Sequence, residues 1–243
     1  MKVFLRFPVY DHLDRQLSRW WAWLEGSRPD WEKQGICFHS IDYVYCTAGP
    51  DRARNVCVLE FLKTDATHLW MVDCDTLPPY HLAILEEARD KEASVISGVY
   101  DRYWDELGIC APQVYMKVPD EPGKPPGRWR TVDRAQWPTG SLIKADAVGT
   151  GCLVIRRDVL EQMAWPYFEI IQLPGQELRG EDFVFCSKVG GVAVMPVYVC
   201  KHFRDVDLSK YRELCEYLGT ANLELRQVRA EVERLKGKGR RGG

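Results

Sequence analysis

Over the first hundred residues, short apolar or β-branched runs alternate with segments whose apolar residues recur at helical spacing. Lys2 to Phe7 reads as a strand ended by Pro8. Asp11 can cap a helix over about residues 12–25, with Asp14 at its third position. Ile36 to Cys46 is β-branched and aromatic and predicts a second strand or pair of strands. Pro50-Asp51 opens a helix to about Lys63, with Val56, Leu59 and Leu62 as its apolar stripe. His68 to Val72 is a short, almost unbroken apolar run, as a buried parallel strand requires. Pro78-Pro79 starts the next helix, about 80–91, and Ser94 to Gly98 is another strand. Such alternation predicts an α/β chain with an open, mostly parallel central sheet and helices on both of its faces.

Further along, the character changes. Residues 119–129 are rich in Pro and Gly and predict a loop or hairpin tip. Ala147 to Ile155 returns to strand, Arg157 to Met163 and Asp182 to Val189 to helix, and Val192–Val194 and Val197–Cys200 to late strands. From Tyr211 to Leu235 the apolar residues follow a 3-4 spacing, the seam of a coiled coil of about three heptads, ending in a basic run to Arg241. This predicts a domain over 1–204 and an amphipathic helix with a basic flexible tail over 205–243. The helix either packs on its own domain or makes a homo-oligomer.

Composition narrows the class. A length of 243 residues and a hydrophobic fraction of 46% fit one domain with a tail. The net charge of −2 gives no global reason for nucleic-acid binding. The nine cysteines are odd in number, make no CxxC pair, and mostly sit inside apolar runs. That argues against a zinc site or disulfide framework and for a reducing compartment. No apolar h-region opens the chain and no stretch approaches the ~20 apolar residues of a membrane span. The expectation is a cytoplasmic protein.

The chemistry centres on Asp73-Cys74-Asp75, at the C-terminal end of the run His68 to Val72. Ligands bind at that end of the strands in an open α/β sheet. Two carboxylates one residue apart can face one hard cation, and Mg²⁺ or Mn²⁺ so held keeps positions open for diphosphate oxygens. The plain alternative is a solvated turn. Gly180-Glu181-Asp182-Phe183 sets two carboxylates at a helix start, either as caps or with one of them as base for an acceptor hydroxyl. His202 follows the last strand and is either structural or a ligand to the same cation.

The ordered set resembles the GT-A fold glycosyltransferases, in the broad family-2-like group of bacteria and phages. The resemblance runs through Ala53-Arg54-Asn55, Leu69 to Pro79 around the D-x-D, Val95 to Tyr100, Ala147 to Arg157, Gly180 to Phe183 and His202, covering about residues 1–204. It implies a metal-dependent enzyme moving a sugar from a nucleoside-diphosphate donor, UDP-sugar first and GDP-sugar next, to an acceptor hydroxyl. Asp73 and Asp75 would bind Mn²⁺ or Mg²⁺ and the diphosphate, with His202 as a third metal ligand. Arg54 would contact the nucleotide, and the segment from Pro8 through Tyr10 to Asp11 would border its base. Gly149 and Gly151 would let the backbone approach donor or acceptor. Asp182, or else Glu181, would be the general base of an inverting reaction. The chain is short for this group, so its acceptor part reduces to about residues 100–146 plus the tail, and the resemblance does not explain the charged helix.

Tyr100, Tyr103, Trp104, Trp129 and Trp137 are either a sugar-stacking platform or packing residues. The acceptor stays open among glycan, protein, small molecule and modified DNA. Three rival functions remain: a sugar nucleotidyltransferase, a catalytically inactive nucleotide- or glycan-binding protein on the same sheet, and a metal-dependent hydrolase. The first usually carries a Gly-rich loop after its first strand, where this chain has Phe7-Pro8-Val9-Tyr10-Asp11.

Overall fold

In the computed structural model the apolar runs become one seven-stranded sheet. Residues 1–9, 15–46, 48–90, 93–104, 109–122, 128–132, 134, 137–138, 140, 142–172 and 179–202 are described. In chain order come β1 (Lys2–Val9), α1 (Arg15–Lys33), β2 (Cys37–Tyr45), α2 (Pro50–Leu62), β3 (His68–Val72), β4 (Thr76–Leu77), α3 (Ala83–Asp90) and β5 (Val95–Val99). Two short hairpin regions follow: β6 (Asp101–Trp104) with β7 (Ile109–Pro112), and β8 (Val114–Lys117) with β9 (Trp129–Thr131). The rest is β10 (Ile143–Ala145), β11 (Ala147–Val148), β12 (Cys152–Arg156), α4 (Arg157–Gln162), α5 (Glu181–Val189), β13 (Val192–Val199) and β14 (Lys201–His202). The chain divides into two units, Met1–Phe203 and Arg204–Gly243. The second unit, and with it the expected tail helix and its heptad seam, lies outside the described residues.

The central sheet has the order β10-β13-β5-β12-β3-β1-β2. β1, β2, β3, β5 and β13 run one way, and β12 and β10 run against them. The open, mostly parallel sheet read from the alternation is therefore present. Period-two alternation sends successive side chains to opposite faces. Phe4, Leu69, Met71, Leu153 and Ile155 meet α2, α4 and α5 through Val58, Phe61, Leu160 and Phe185. Val3, Leu5, Trp70, Val72 and Val154 meet α1 and α3 through Leu17, Trp20, Leu24, Ile84 and Leu85. Among the described residues no helix is long and apolar enough to cross a membrane.

Several elements depart from their expected bounds. Pro8 does not end β1 but lies inside it, beyond Arg6, the last residue paired with β3, so its missing N–H removes no bond from that ladder. α1 continues to Lys33 through Pro29, carrying Trp31 against the core. Ala147 to Ile155 is two strands in different sheets, separated by Gly149-Thr150-Gly151. Of the predicted stripe of α2, Val56 and Leu59 face outward, 37% and 40% exposed, while Leu62 packs against the core. The buried side carries Ala53, Arg54, Asn55, Cys57, Val58 and Phe61. Two polar residues on that face weaken the amphipathic signal, because burial there serves more than hydrophobic packing.

Arg157 closes the C-terminal end of α2. Its guanidinium donates to the carbonyls of Phe61 (3.1 Å), Thr64 (2.6 Å) and Ala66 (2.7 Å), and lies 4.6 Å from the Phe61 ring centroid. A cation there satisfies orphan carbonyls and opposes the helix dipole. Arg157→Ala is expected to cost about 2 kcal/mol of stability. Urea unfolding would show it as a lower midpoint at unchanged slope, with part of the loss recovered by Arg157→Lys.

Candidate functional site

The site forms where β3 leaves the sheet. The Asp73 N–H donates to the Gly151 carbonyl (2.9 Å), and the Thr76 N–H donates to the Asp73 carbonyl (2.9 Å), closing a turn over the D-x-D residues. β4 then runs antiparallel to β14, with Thr76 opposite His202. This pairing sets His202 Nε2 at 3.2 Å from Asp75 Oδ2, and Nδ1 at 3.1 Å from the Asp101 carbonyl oxygen. Pro8 lies at the same end of the sheet, two residues beyond Arg6 as Asp73 is two beyond Met71, with which Arg6 pairs. Tyr10 lies outside the described residues.

The two D-x-D carboxylates have different surroundings. Asp73, 14% exposed, accepts from Arg54 Nη2 through both oxygens, at 2.8 and 2.7 Å. Arg54 is almost fully buried on the inner side of α2, and its Nη1 donates to Glu181 Oε1 at 2.6 Å. One guanidinium thus joins α2, the end of β3 and the first turn of α5. Asp75, 46% exposed, faces His202 instead.

Asp182 is held differently. Its Oδ1 accepts the N–H of Phe183 at 2.8 Å. Burial pushes the carboxyl up to about 6 and the neighbouring Glu181 charge adds to this, while the Phe183 N–H and Arg54 oppose it. Tyr100 is buried beside it, and its hydroxyl accepts the Gly151 N–H at 3.3 Å. Burial raises the Tyr100 hydroxyl well above its ordinary value, and the charges of Asp73 and Asp182 raise it further. The carboxylates of Asp73 and Asp182 therefore lie around one phenol.

Gly149 and Gly151 make room for that phenol. A Cβ on Gly149 would stand 2.2 Å from the Tyr100 oxygen, and one on Gly151 would meet the Tyr100 ring at 2.8 Å and Thr76 Oγ1 at 2.9 Å. The close approach expected of these glycines is thus made to a side chain of the chain itself. Of the aromatic residues named from the sequence, Trp129 packs 5.0 Å from the Phe183 ring, next to Asp182; Tyr115, which is not among them, lies 4.9 Å from the same ring. Tyr100 contacts the His202 ring at 5.0 Å. The side chains of Tyr103 and Trp104 are outside those described.

Asn55 stands in the Ala53-Arg54-Asn55 motif, but the sequence assigns it no role of its own. Its Nδ2 donates to the Phe168 carbonyl (2.6 Å), and its Oδ1 accepts the N–H groups of Tyr167 (3.0 Å) and Phe168 (3.1 Å). The segment that leads towards Glu181 and Asp182 is thereby tied to the helix that carries Arg54. Only its place beside Arg54 on a helix could have pointed to it.

The donor set fits a divalent cation. A neutral ring that donates Nδ1–H to the Asp101 carbonyl turns its Nε2 lone pair to the Asp75 carboxylate. Two acceptors at 3.2 Å call for a proton or a cation between them. A carbonyl holding the far nitrogen is the arrangement that metal-ligating imidazoles adopt. Among the described residues no group of three or more His, Cys, Asp or Glu side chains is gathered to hold a metal. Asp75 and His202 would supply two ligands, leaving the remaining positions to ligand oxygens or water.

No family profile matches the sequence. No protein of curated function matches it by sequence. Solved structures do match by shape. A197 from STIV aligns with a TM-score of 0.55 at 18% identity, over 84% of this chain and 87% of that one. The glycosyltransferase GalNAc-T7, solved with UDP, GalNAc and Mn²⁺, aligns with a TM-score of 0.54 at 13% identity, over 85% of this chain. The chain spans 44% of the length of GalNAc-T7. At such identity the likeness shows the fold, which is that of the GT-A glycosyltransferases.

Proposed function

We propose that the protein is a metal-dependent glycosyltransferase of the family-2-like kind, its catalytic domain spanning residues 1–204. It moves a sugar from a nucleoside-diphosphate donor, UDP-sugar before GDP-sugar, to an acceptor hydroxyl. The observation that carries the reading is the pairing of Asp75 with His202 at the strand ends, next to Asp73, which the Arg54 guanidinium joins to Glu181 at the start of α5. The GT-A fold supports it, as does the presence of UDP and Mn²⁺ in GalNAc-T7.

Asp75 and His202 would hold Mn²⁺ or Mg²⁺, with Asp73 beside them. The metal, when bound, neutralises charge developing on the departing diphosphate. The acceptor oxygen forms its bond to the anomeric carbon as the bond to the donor diphosphate breaks, the diphosphate leaving with the electron pair. Asp182 or Glu181 takes the hydroxyl proton. Pro8 and the residues after it border the nucleotide. The acceptor is a glycan, protein, small molecule or modified DNA base, met by the region of β6 to β9.

Calorimetric titration of UDP, GDP, CDP and dTDP, with and without Mn²⁺, tests the donor site. One nucleotide is expected to bind only with metal. Equal, metal-independent heats for all four, or none, would overturn the reading in favour of an inactive fold relative.

A further inference from the structure

Two carboxylates, those of Asp73 and Glu181, converge on one buried guanidinium, whose charge also acts on Asp182. Both terminal nitrogens of Arg54 are engaged, Nη2 on both oxygens of Asp73 and Nη1 on Glu181. We propose that Arg54 is a positioning residue that sorts these carboxylates. It ties Asp73 and Glu181 together through its two terminal nitrogens and leaves Asp182 as the carboxyl that exchanges the acceptor's proton. The role of Asp182 rests on the glycosyl-transfer reading; the sorting does not.

The reason is geometric and electrostatic. Negative charges in a half-buried space need a cation, and the two terminal nitrogens of a guanidinium can each serve a different carboxylate. Arg54 gives one to the end of β3 and the other to the first residue of α5. The Glu181 carboxylate is thereby turned to α2. Asp182, next in the chain, accepts the Phe183 N–H instead. The groups acting with it are Glu181 and Arg54, Cys186 on its own helix, and the phenols of Tyr100 and Tyr115 from the strands. Among these, Arg54 is the cation.

The test is a carboxyl ¹³C NMR titration of the full chain labelled at Asp, with Asp182→Asn assigning the signal. Arg54→Met is expected to move the Asp182 midpoint up by about one unit, since an opposing positive charge is lost. Arg54→Lys should recover most of that shift. Glu181→Gln should move it down, because a neighbouring negative charge is lost and Arg54 is released. A merely structural Arg54 would lower stability and leave the Asp182 midpoint where it was; that result, or an upward move in Glu181→Gln, overturns the proposal. If Arg54→Met does not fold, Glu181→Gln decides alone. A protein that transfers no sugar yet shows these shifts keeps the sorting and loses the function. One that transfers sugar with an unmoved Asp182 does the reverse.

Discussion

Asp75→Ala should abolish Mn²⁺-dependent nucleotide binding, weakening it by about 100-fold or more, near 2.7 kcal/mol. The size follows from the donor set. With Asp73 committed to Arg54, the carboxylate left to face a cation is Asp75, and His202 alone is a weak hold for a hard metal. Folding should be spared. Asp75 is half exposed, and an exposed carboxylate–imidazole pair contributes under about 1 kcal/mol. Calorimetry with Mn²⁺ on the variant, alongside a thermal melt, separates the two effects. Wild-type affinity in Asp75→Ala would remove the cation from this turn. Loss of binding with loss of the melt would point to a structural role.

Reading the sequence reached some parts of this site and not others, for physical reasons. β3 was legible because a strand buried on both faces reads as one apolar run, and its carboxylates stand out at its end. β5 and α5 were legible for similar reasons. β4 and β14 were not. Two-residue strands carry no periodicity, and the pairing of Thr76 with His202 joins segments far apart in the chain. Yet that pairing is what brings His202 to Asp75.

Arg54 shows the other limit. Its helix was found, with the wrong face inward. Val56, Leu59 and Leu62 made the more hydrophobic stripe, of which only Leu62 packs inward; the buried face is set by what it meets: Asp73, Glu181 and the backbone at Phe168. Periodicity weighs side chains by apolarity, so a helix that buries Arg and Asn for charge and hydrogen bonds reads backwards. Gly149 and Gly151 make the same point. Glycines near a D-x-D suggest room for a ligand, and here the room is taken by Tyr100, whose partner glycines lie about fifty positions on. Segments such as Ala147 to Ile155 read as one strand because a turn made of Gly-Thr-Gly is short beside the apolar runs that flank it.

Asp182→Asn is the second large effect, and it has two parts with opposite signs. Glycosyl transfer should fall by about 10²–10⁴-fold, the contribution of a positioned general base. Metal-dependent nucleotide binding should stay near wild type, since among the described residues Asp75 pairs with His202 and Asp182 with the Phe183 N–H. In the wild type, transfer should rise with pH through about 6, as the carboxyl loses its proton. Stability should move the other way. The folded chain keeps the Asp182 proton up to about 6, whereas the ordinary value is 3.8. Between these values the folded state binds more protons than the unfolded state, so wild-type stability falls as pH rises through that window. Asparagine has no such proton, and its oxygen can still accept the Phe183 N–H. The variant should therefore match the wild type below pH about 4 and exceed it by about 2 kcal/mol above pH 6, less than the full shift allows because the group is partly solvated. Denaturant unfolding at several pH values reads this difference directly. A variant that is both more stable at neutral pH and inactive would mean that the chain holds a strained carboxyl for its chemistry; full transfer activity in Asp182→Asn would assign the proton to another group, and Glu181 would be next.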